Sequence, residues 1–364
     1  MKKFLLLLMM GGLLFTGCDS TEPEDGTDNS DIPPDPQNVT IPLLQLNNIQ
    51  PTATITPKAD NPSRIEVNLQ GMINPTTNNP IELYYDANNP SNSNIFIQED
   101  GVVKGLKVTK VSSSNQLNAD VVFTVDNSGS MSEEADSVAA GIIEFANFLQ
   151  SSGLNVQFAI VGYDVNGDVS GAINFTNSLT IRDYLNRPLH FGTDRTVGFA
   201  GPDSAALDNK ARLFAPEIFD ENGVVAVLFA DSTFAWRSGA QRVYINFTDE
   251  PTQHDGINWT TAQMCSLISG KATVHTVFSA DTTSFSWDVD DERPWEMSLC
   301  TGGTIKFIPS DASGLNLKDL PFTTALTNSY LIEYIASSTG VTHSIIITIV
   351  ESGADGKKEY TVIY

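Results

Sequence analysis

The run Val122-Phe123-Thr124-Val125-Asp126-Asn127-Ser128-Gly129-Ser130-Met131 changes character within a few residues. Apolar and β-branched side chains lead into one acid and two hydroxyls, each separated from the next by a single residue. A carboxylate and two hydroxyls on one short loop supply only oxygen donors, the ligand type that a hard cation such as Mg2+ prefers. Gly129 permits the tight turn that would gather them. The loop reads as half of a coordination shell.

Such donors need rigid elements behind them. Val121 to Val125 is a nearly continuous apolar run, as expected of a strand covered on both faces. Val138, Ile142, Phe145 and Leu149 then recur at helical spacing, with Gly153 as a stop. Glu133 and Glu134 open that helix, where the dipole favours negative charge. Further strands are expected at 156–163, 243–248, 273–279 and 304–308, with helical segments near 224–230, 260–269 and 294–299. Alternation of strand and helix implies an α/β domain with a largely parallel sheet. Ligands of such sheets bind beyond the carboxyl ends of the strands, which is where Asp126 falls.

On both sides the pattern is β. Residues 64–69 alternate with period two, 81–85 and 94–98 read as short strands, and Asp100-Gly101 is a hairpin signal. After 328 come strands at 330–336, 344–350 and 360–364, with Ile345, Ile347 and Ile349 on one face. Three strands are weak alone. Residues 328–364 are therefore expected to complete a β-sandwich begun by 39–117, with the α/β domain of 118–327 inserted between the halves. Two separate flanking β modules are the alternative.

Asp126-Asn127-Ser128-Gly129-Ser130 resembles the Asp-x-Ser-x-Ser motif of the metal-ion-dependent adhesion site in von Willebrand factor type A (vWA) domains, and the resemblance covers about 119–327. It implies a doubly wound, mostly parallel sheet and a divalent cation, Mg2+ with Mn2+ or Ca2+ as alternatives. It also implies ligands from two further loops. Tyr244-Ile245-Asn246-Phe247-Thr248-Asp249 is a strand ending in an acid, so Asp249 fits the later loop. For the middle loop Glu221, directly before a helical segment, is preferred, and Thr193 is the alternative. One coordination position would be left for water or for a protein partner's Asp or Glu. Glu133 and Glu134 also match acids of a second cation site in integrin β subunits, although ordinary helix-start acids is the better reading.

The chain begins with Lys2 and Lys3, an apolar stretch from Phe4 to Phe15, and then Thr16-Gly17-Cys18. This resembles a bacterial lipoprotein signal (1–17) with a lipidated Cys18; an ordinary secretory signal is the alternative. Asp19 to Asp35 holds seven acids, three prolines and no Lys or Arg, and 18–38 reads as an acidic disordered tether. Such a protein would be lipid-anchored in the cell envelope, at the outer membrane or cell surface. Outside the cytoplasm the remaining pair, Cys265 and Cys300, suggests a disulfide, with two buried thiols as the alternative.

A formal net charge of −24 makes nucleic acid a poor partner. No phosphate-binding glycine loop, zinc-like spacing of His190, His254, His275 and His343, or nucleophile elbow appears in the sequence. Enzymatic activity is not expected. The expected function is cation-dependent binding of a protein partner by a membrane-anchored lipoprotein, with a scaffold subunit of an envelope or secretion complex as the alternative.

Overall fold

The computed structural model describes residues 28–77, 79–111, 118–132, 134–151, 154–164, 169–186, 205–214, 221–254, 258–320, 323 and 326–364. Cys18, Glu133, His190 and Thr193 lie outside them.

The first strands are β1 (Ala53–Lys58), β2 (Asn61–Leu69), β3 (Ile95–Glu99), β4 (Val102–Val103) and β5 (Lys107–Lys110). The central stretch runs β6 (Asn118–Asp126), α1 (Ala135–Ser151), β7 (Asn155–Tyr163), β8 (Val169–Thr176), α2 (Ser178–Leu185), α3 (Ala205–Phe214) and α4 (Gly223–Thr233). It continues with β9 (Gln241–Thr248), β10 (Thr252–Gln253), α5 (Thr261–Ile268), β11 (Thr273–Phe278), β12 (Asp291–Glu292), α6 (Glu296–Thr301) and β13 (Ile305–Phe307). The last strands are β14 (Tyr330–Ile335), β15 (Thr342–Glu351) and β16 (Ala354–Ile363).

Six strands form one sheet in the order β13-β11-β9-β6-β7-β8. All its pairings are parallel except that of the edge strand β8 with β7. Read from β8 and counted along the chain, this is third-second-first-fourth-fifth-sixth, the doubly wound order. The apolar run of β6 is explained by its two covered faces. Val121, Phe123 and Val125 enter a core with α1, while Val122 enters a core with α4 on the other side. The expected α/β, mostly parallel architecture is present. Cys265 of α5 and Cys300 of α6 form a disulfide.

Strands from both ends of the chain share two antiparallel sheets, ordered β1-β2-β14-β5 and β16-β15-β3-β4. Ile65, Val67, Ile95, Ile97, Ile332, Ile345, Ile347 and Ile349 meet in one core between them. Asp100 and Gly101, both at positive φ, make the tight turn between β3 and β4. These sheets touch the α/β layer at the amino ends of its strands. Thr273 at the start of β11 donates to Gln70 (2.7 Å), and Gln241 at the start of β9 contacts Ser329 (3.2 Å).

Some local expectations differ from the structure. Residues 81–85 form no strand, because side chains take their amides: the Leu83 N–H donates to the Tyr330 hydroxyl (3.1 Å) and the Tyr84 N–H to Asn94 Oδ1 (2.9 Å). From Asp28 onward the acidic segment is docked. Asp31 pairs with the buried Arg64 (2.7 Å) and Asp35 with the buried Lys104 (2.7 Å). Gly105 sits beneath Pro33 and Pro34, where a Cβ would come within 2.0 Å of the Pro33 carbonyl oxygen. The segment thus lies directly on backbone.

One ion pair ties the α4–β9 connection to the central strand. Asp120 of β6 is fully buried and accepts from the Arg237 backbone N–H (2.9 Å) and Nε (2.7 Å). Removing one partner of such a pair leaves the other uncompensated. Asp120→Ala is expected to cost about 3 kcal/mol in urea denaturation; an unchanged midpoint would show that the pair contributes nothing.

Candidate metal centre

In the doubly wound order, β6 and β9 are the neighbours at which the winding reverses, and the crevice beyond their carboxyl ends is the usual ligand position. Asp126 ends β6, and Asp249 follows β9 directly. The Ser128 N–H donates to Asp126 Oδ1 (3.0 Å). The Ser128 and Ser130 hydroxyls are 2.8 Å apart, and Ser130 Oγ donates to Asp249 Oδ1 (3.1 Å). The two loops therefore meet through one continuous row of oxygens. Asp126 and Ser128 are buried, while Ser130 is exposed, so the row runs from the protein interior to solvent.

Glu221 immediately precedes Asn222, which caps α4 by accepting from the Val225 N–H (3.3 Å). Its carbonyl accepts from the Gln253 N–H (3.0 Å), tying the start of α4 to the loop after Asp249. The Glu221 carboxylate acts electrostatically on the buried Tyr163 hydroxyl, as does that of Asp126. Glu221 is thus joined through its backbone to the segment that follows Asp249. Thr193, the alternative, is outside the described residues.

Burial pushes the Asp126 carboxyl up to about 8, and the neighbouring charge of Asp249 adds to that rise. Asp249 is also raised, chiefly by burial. None of the leading influences on either acid is a lysine or arginine. Two desolvated carboxylates and two hydroxyls are a donor set that suits a hard cation. No group of three or more His, Cys, Asp or Glu suited to a metal occurs among the described residues. The candidate centre is instead made of acids and serines.

Beneath the oxygens lies a polar layer that the sequence analysis did not single out. Thr248 Oγ1 donates to Asp126 Oδ2 (2.7 Å), and Thr124 Oγ1 donates to Asn246 Oδ1 (2.8 Å). The Tyr163 hydroxyl donates to the same Asn246 oxygen (3.3 Å). Gly223 packs onto this layer, where a Cβ would come within 2.8 Å of Asn246 Oδ1. The available signal was a polar residue interrupting each apolar strand, Thr124 in β6 and Asn246 in β9.

Other candidates have structural partners. Glu134 accepts from Ser279 Oγ (2.6 Å). His275 is buried, burial lowers it to about 3, and its Nδ1 accepts from the Thr304 N–H (2.9 Å), so it is neutral. His343 pairs with Asp100 (2.7 Å).

No family model and no curated protein matches the sequence. Among solved structures, the chain is distantly similar to the pilus adhesin SpaC from Lactobacillus rhamnosus GG in its open conformation, at 13% identity and a TM-score of 0.38, over 87% of this chain and 55% of that one. It is also similar to proximal thread matrix protein 1 from the mussel byssus with a zinc-occupied MIDAS motif, at 12% identity and a TM-score of 0.39, over 62% of this chain and 49% of that one. A third is the ArnB paralog VWA2 from Sulfolobus acidocaldarius, at 10% identity and a TM-score of 0.31, over 85% and 73%. The chain spans about half the length of the first two. The reading of the site rests on its own geometry.

The raised Asp126 carboxyl has a consequence for stability. It ionises near 3.8 when unfolded but holds its proton to about 8 in the metal-free fold. Between those values the folded form carries a proton that the unfolded form has lost, so this group makes stability fall as pH rises through the window. Asp126→Asn is expected to flatten the fall. The check is the urea midpoint of both proteins in chelator from pH 5 to 8; equal slopes would contradict the assignment.

Proposed function

We propose that this chain is a membrane-anchored lipoprotein that binds a protein partner through a divalent-cation-dependent, vWA-type adhesion site. The observation that carries the reading is the oxygen row Asp126–Ser128–Ser130–Asp249, in which two separated loops meet at the switch point of the sheet. These four residues would hold the metal, with Glu221 as the middle-loop ligand in preference to Thr193. Mg2+ fits the donors, and Mn2+ or Ca2+ are close alternatives. When bound, the ion supplies a Lewis-acidic point to which a partner's Asp or Glu can bind.

This chain's own residues do the rest. Thr248 and the Ser128 amide orient the Asp126 carboxylate, and Ser130 brings the donor row out to solvent. We read 118–327 as a domain inserted between 39–117 and 328–364, which together make the sandwich. The sandwich meets the α/β layer at the strands' amino ends, so it stands opposite the site. Residues 1–17 would be the signal, Cys18 the lipid anchor, and 18–38 the acidic segment after it. The disulfide is consistent with an envelope location at the outer membrane or cell surface. No helix among the described residues is long and apolar enough to cross a membrane. We assign no catalytic role to the site.

Two measurements test this. Titration calorimetry with Mg2+ is expected to give saturable binding that Asp126→Ala abolishes and Glu221→Gln weakens about tenfold or more; binding unchanged in Asp126→Ala would sink the metal assignment. A pull-down from intact cells is expected to lose its partner in chelator and in Asp126→Ala alike. Retention of that partner under both conditions would favour the scaffold reading.

A further inference from the structure

Beside the oxygen row, the same rim carries an aromatic cluster. Phe278 ends β11 and Phe307 ends β13, so both stand at carboxyl ends of strands. The loop between those strands adds Phe285, Trp287 and Trp295. Centroids are 5.2 Å apart for Phe278–Trp295, 5.2 Å for Phe285–Trp287, and 5.1 Å for both Trp287–Trp295 and Trp295–Phe307. Phe278 is buried as the hub, Phe285, Trp287 and Trp295 are half-buried, and Phe307 is 51% exposed. The five rings lie outside the three apolar cores. The indole N–H of Trp287 donates to the Thr282 carbonyl (2.9 Å), which holds that ring in place.

The charge around the rings is one-sided. Asp281, Asp288, Asp290, Asp291, Glu292 and Glu296 lie between residues 280 and 296, against Arg293 alone. Lys306 is the adjacent cation on β13. Some of these acids have local work: Asp281 caps Thr283, Asp288 accepts from the Asp290 and Asp291 amides, and Glu292 accepts from the Thr261 amide. Asp290 is exposed and Asp291 half-exposed. Asp291 and Glu292 form β12, which pairs with β10 in the loop after Asp249. The acidic loop is therefore hydrogen-bonded to the segment that follows Asp249.

Half-buried indoles framed by carboxylates attract a flat cation, which can stack on their accessible parts while the acids neutralise it. The molecule already makes such a contact internally, where Arg242 lies 4.8 Å from the Trp236 ring centre. We propose that this rim is a second contact for the protein partner and takes arginine side chains of a basic segment. It rests on the proposed function for the existence of a protein partner, but the ring contact does not need the metal.

The test uses tetra-arginine amide and tetra-lysine amide, which carry equal charge, titrated calorimetrically into the full chain at about 0.15 M salt. The wild type is expected to bind the arginine peptide about fivefold more tightly than the lysine peptide. Trp287→Ala and Phe307→Ala are expected to bring that ratio close to one. Asp290→Asn with Asp291→Asn, which removes no ring, should weaken both peptides and keep the ratio. A wild-type ratio near one, a ratio that survives both ring variants, or binding of a neutral oligosaccharide such as cellohexaose in place of the peptide would overturn the proposal. Chelator and Asp126→Ala should leave the peptide affinities unchanged; a loss there would put the peptides at the metal site and also overturn it. Failure of the metal reading alone would appear as absent Mg2+ binding with the arginine preference intact.

Discussion

Asp126 has 1% of its surface exposed, accepts hydrogen bonds from Ser128 and Thr248, and has no cation among the groups that act on it most strongly. Desolvating an acid in this way works against folding unless the charge is neutralised or compensated. Burial pushes its carboxyl up to about 8, which favours the protonated form, and Ser128 and Thr248 fix its orientation. Beneath it, Thr124 and Tyr163 both donate to Asn246 Oδ1, and Gly223 closes in from α4.

The rest of the molecule separates this rim from its support. The parallel strands have their amino ends against the antiparallel sheets and their carboxyl ends at the site. An eight-residue strand such as β9 spans about 25 Å. The acidic segment docks on the antiparallel sheets, where Arg64 also pairs with Glu333 of β14 (2.6 Å) and Lys104 also pairs with Glu99 of β3 (3.3 Å). Buried cations thus bind the chain's early acids at one end of the molecule. At the other end, the acids around the rings face solvent.

Much of the architecture was legible from periodicity. The helix carrying Val138, Ile142, Phe145 and Leu149 is α1, and the alternating 64–69 stretch lies within β2. Misses have particular causes. β8 carries Ser170, Gly171 and Asn174 and lies antiparallel at the sheet edge, so it lacks the apolar run of a doubly covered strand. Residues 81–85 have a strand-like pattern, but Tyr330 and Asn94 side chains satisfy amides that a ladder would use. Nothing local in the sequence reveals that the Thr248 hydroxyl reaches Asp126.

Within the site, the sequence by itself determined the donor types and their spacing in Asp126-x-Ser128-x-Ser130. It also determined that an apolar strand precedes them and an amphipathic helix follows. Those are local properties, because alternation across a strand and recurrence around a helix depend only on near neighbours along the chain. Tertiary structure decided that Asp249, 119 residues beyond Ser130, completes the row. It also decided how deeply Asp126 is buried, and that five rings from two strands and one loop share a rim with it. Those outcomes follow from strand order. Several apolar strands of similar pattern could pair in different orders, and only the packing of both faces of the whole sheet selects the one that sets β6 beside β9.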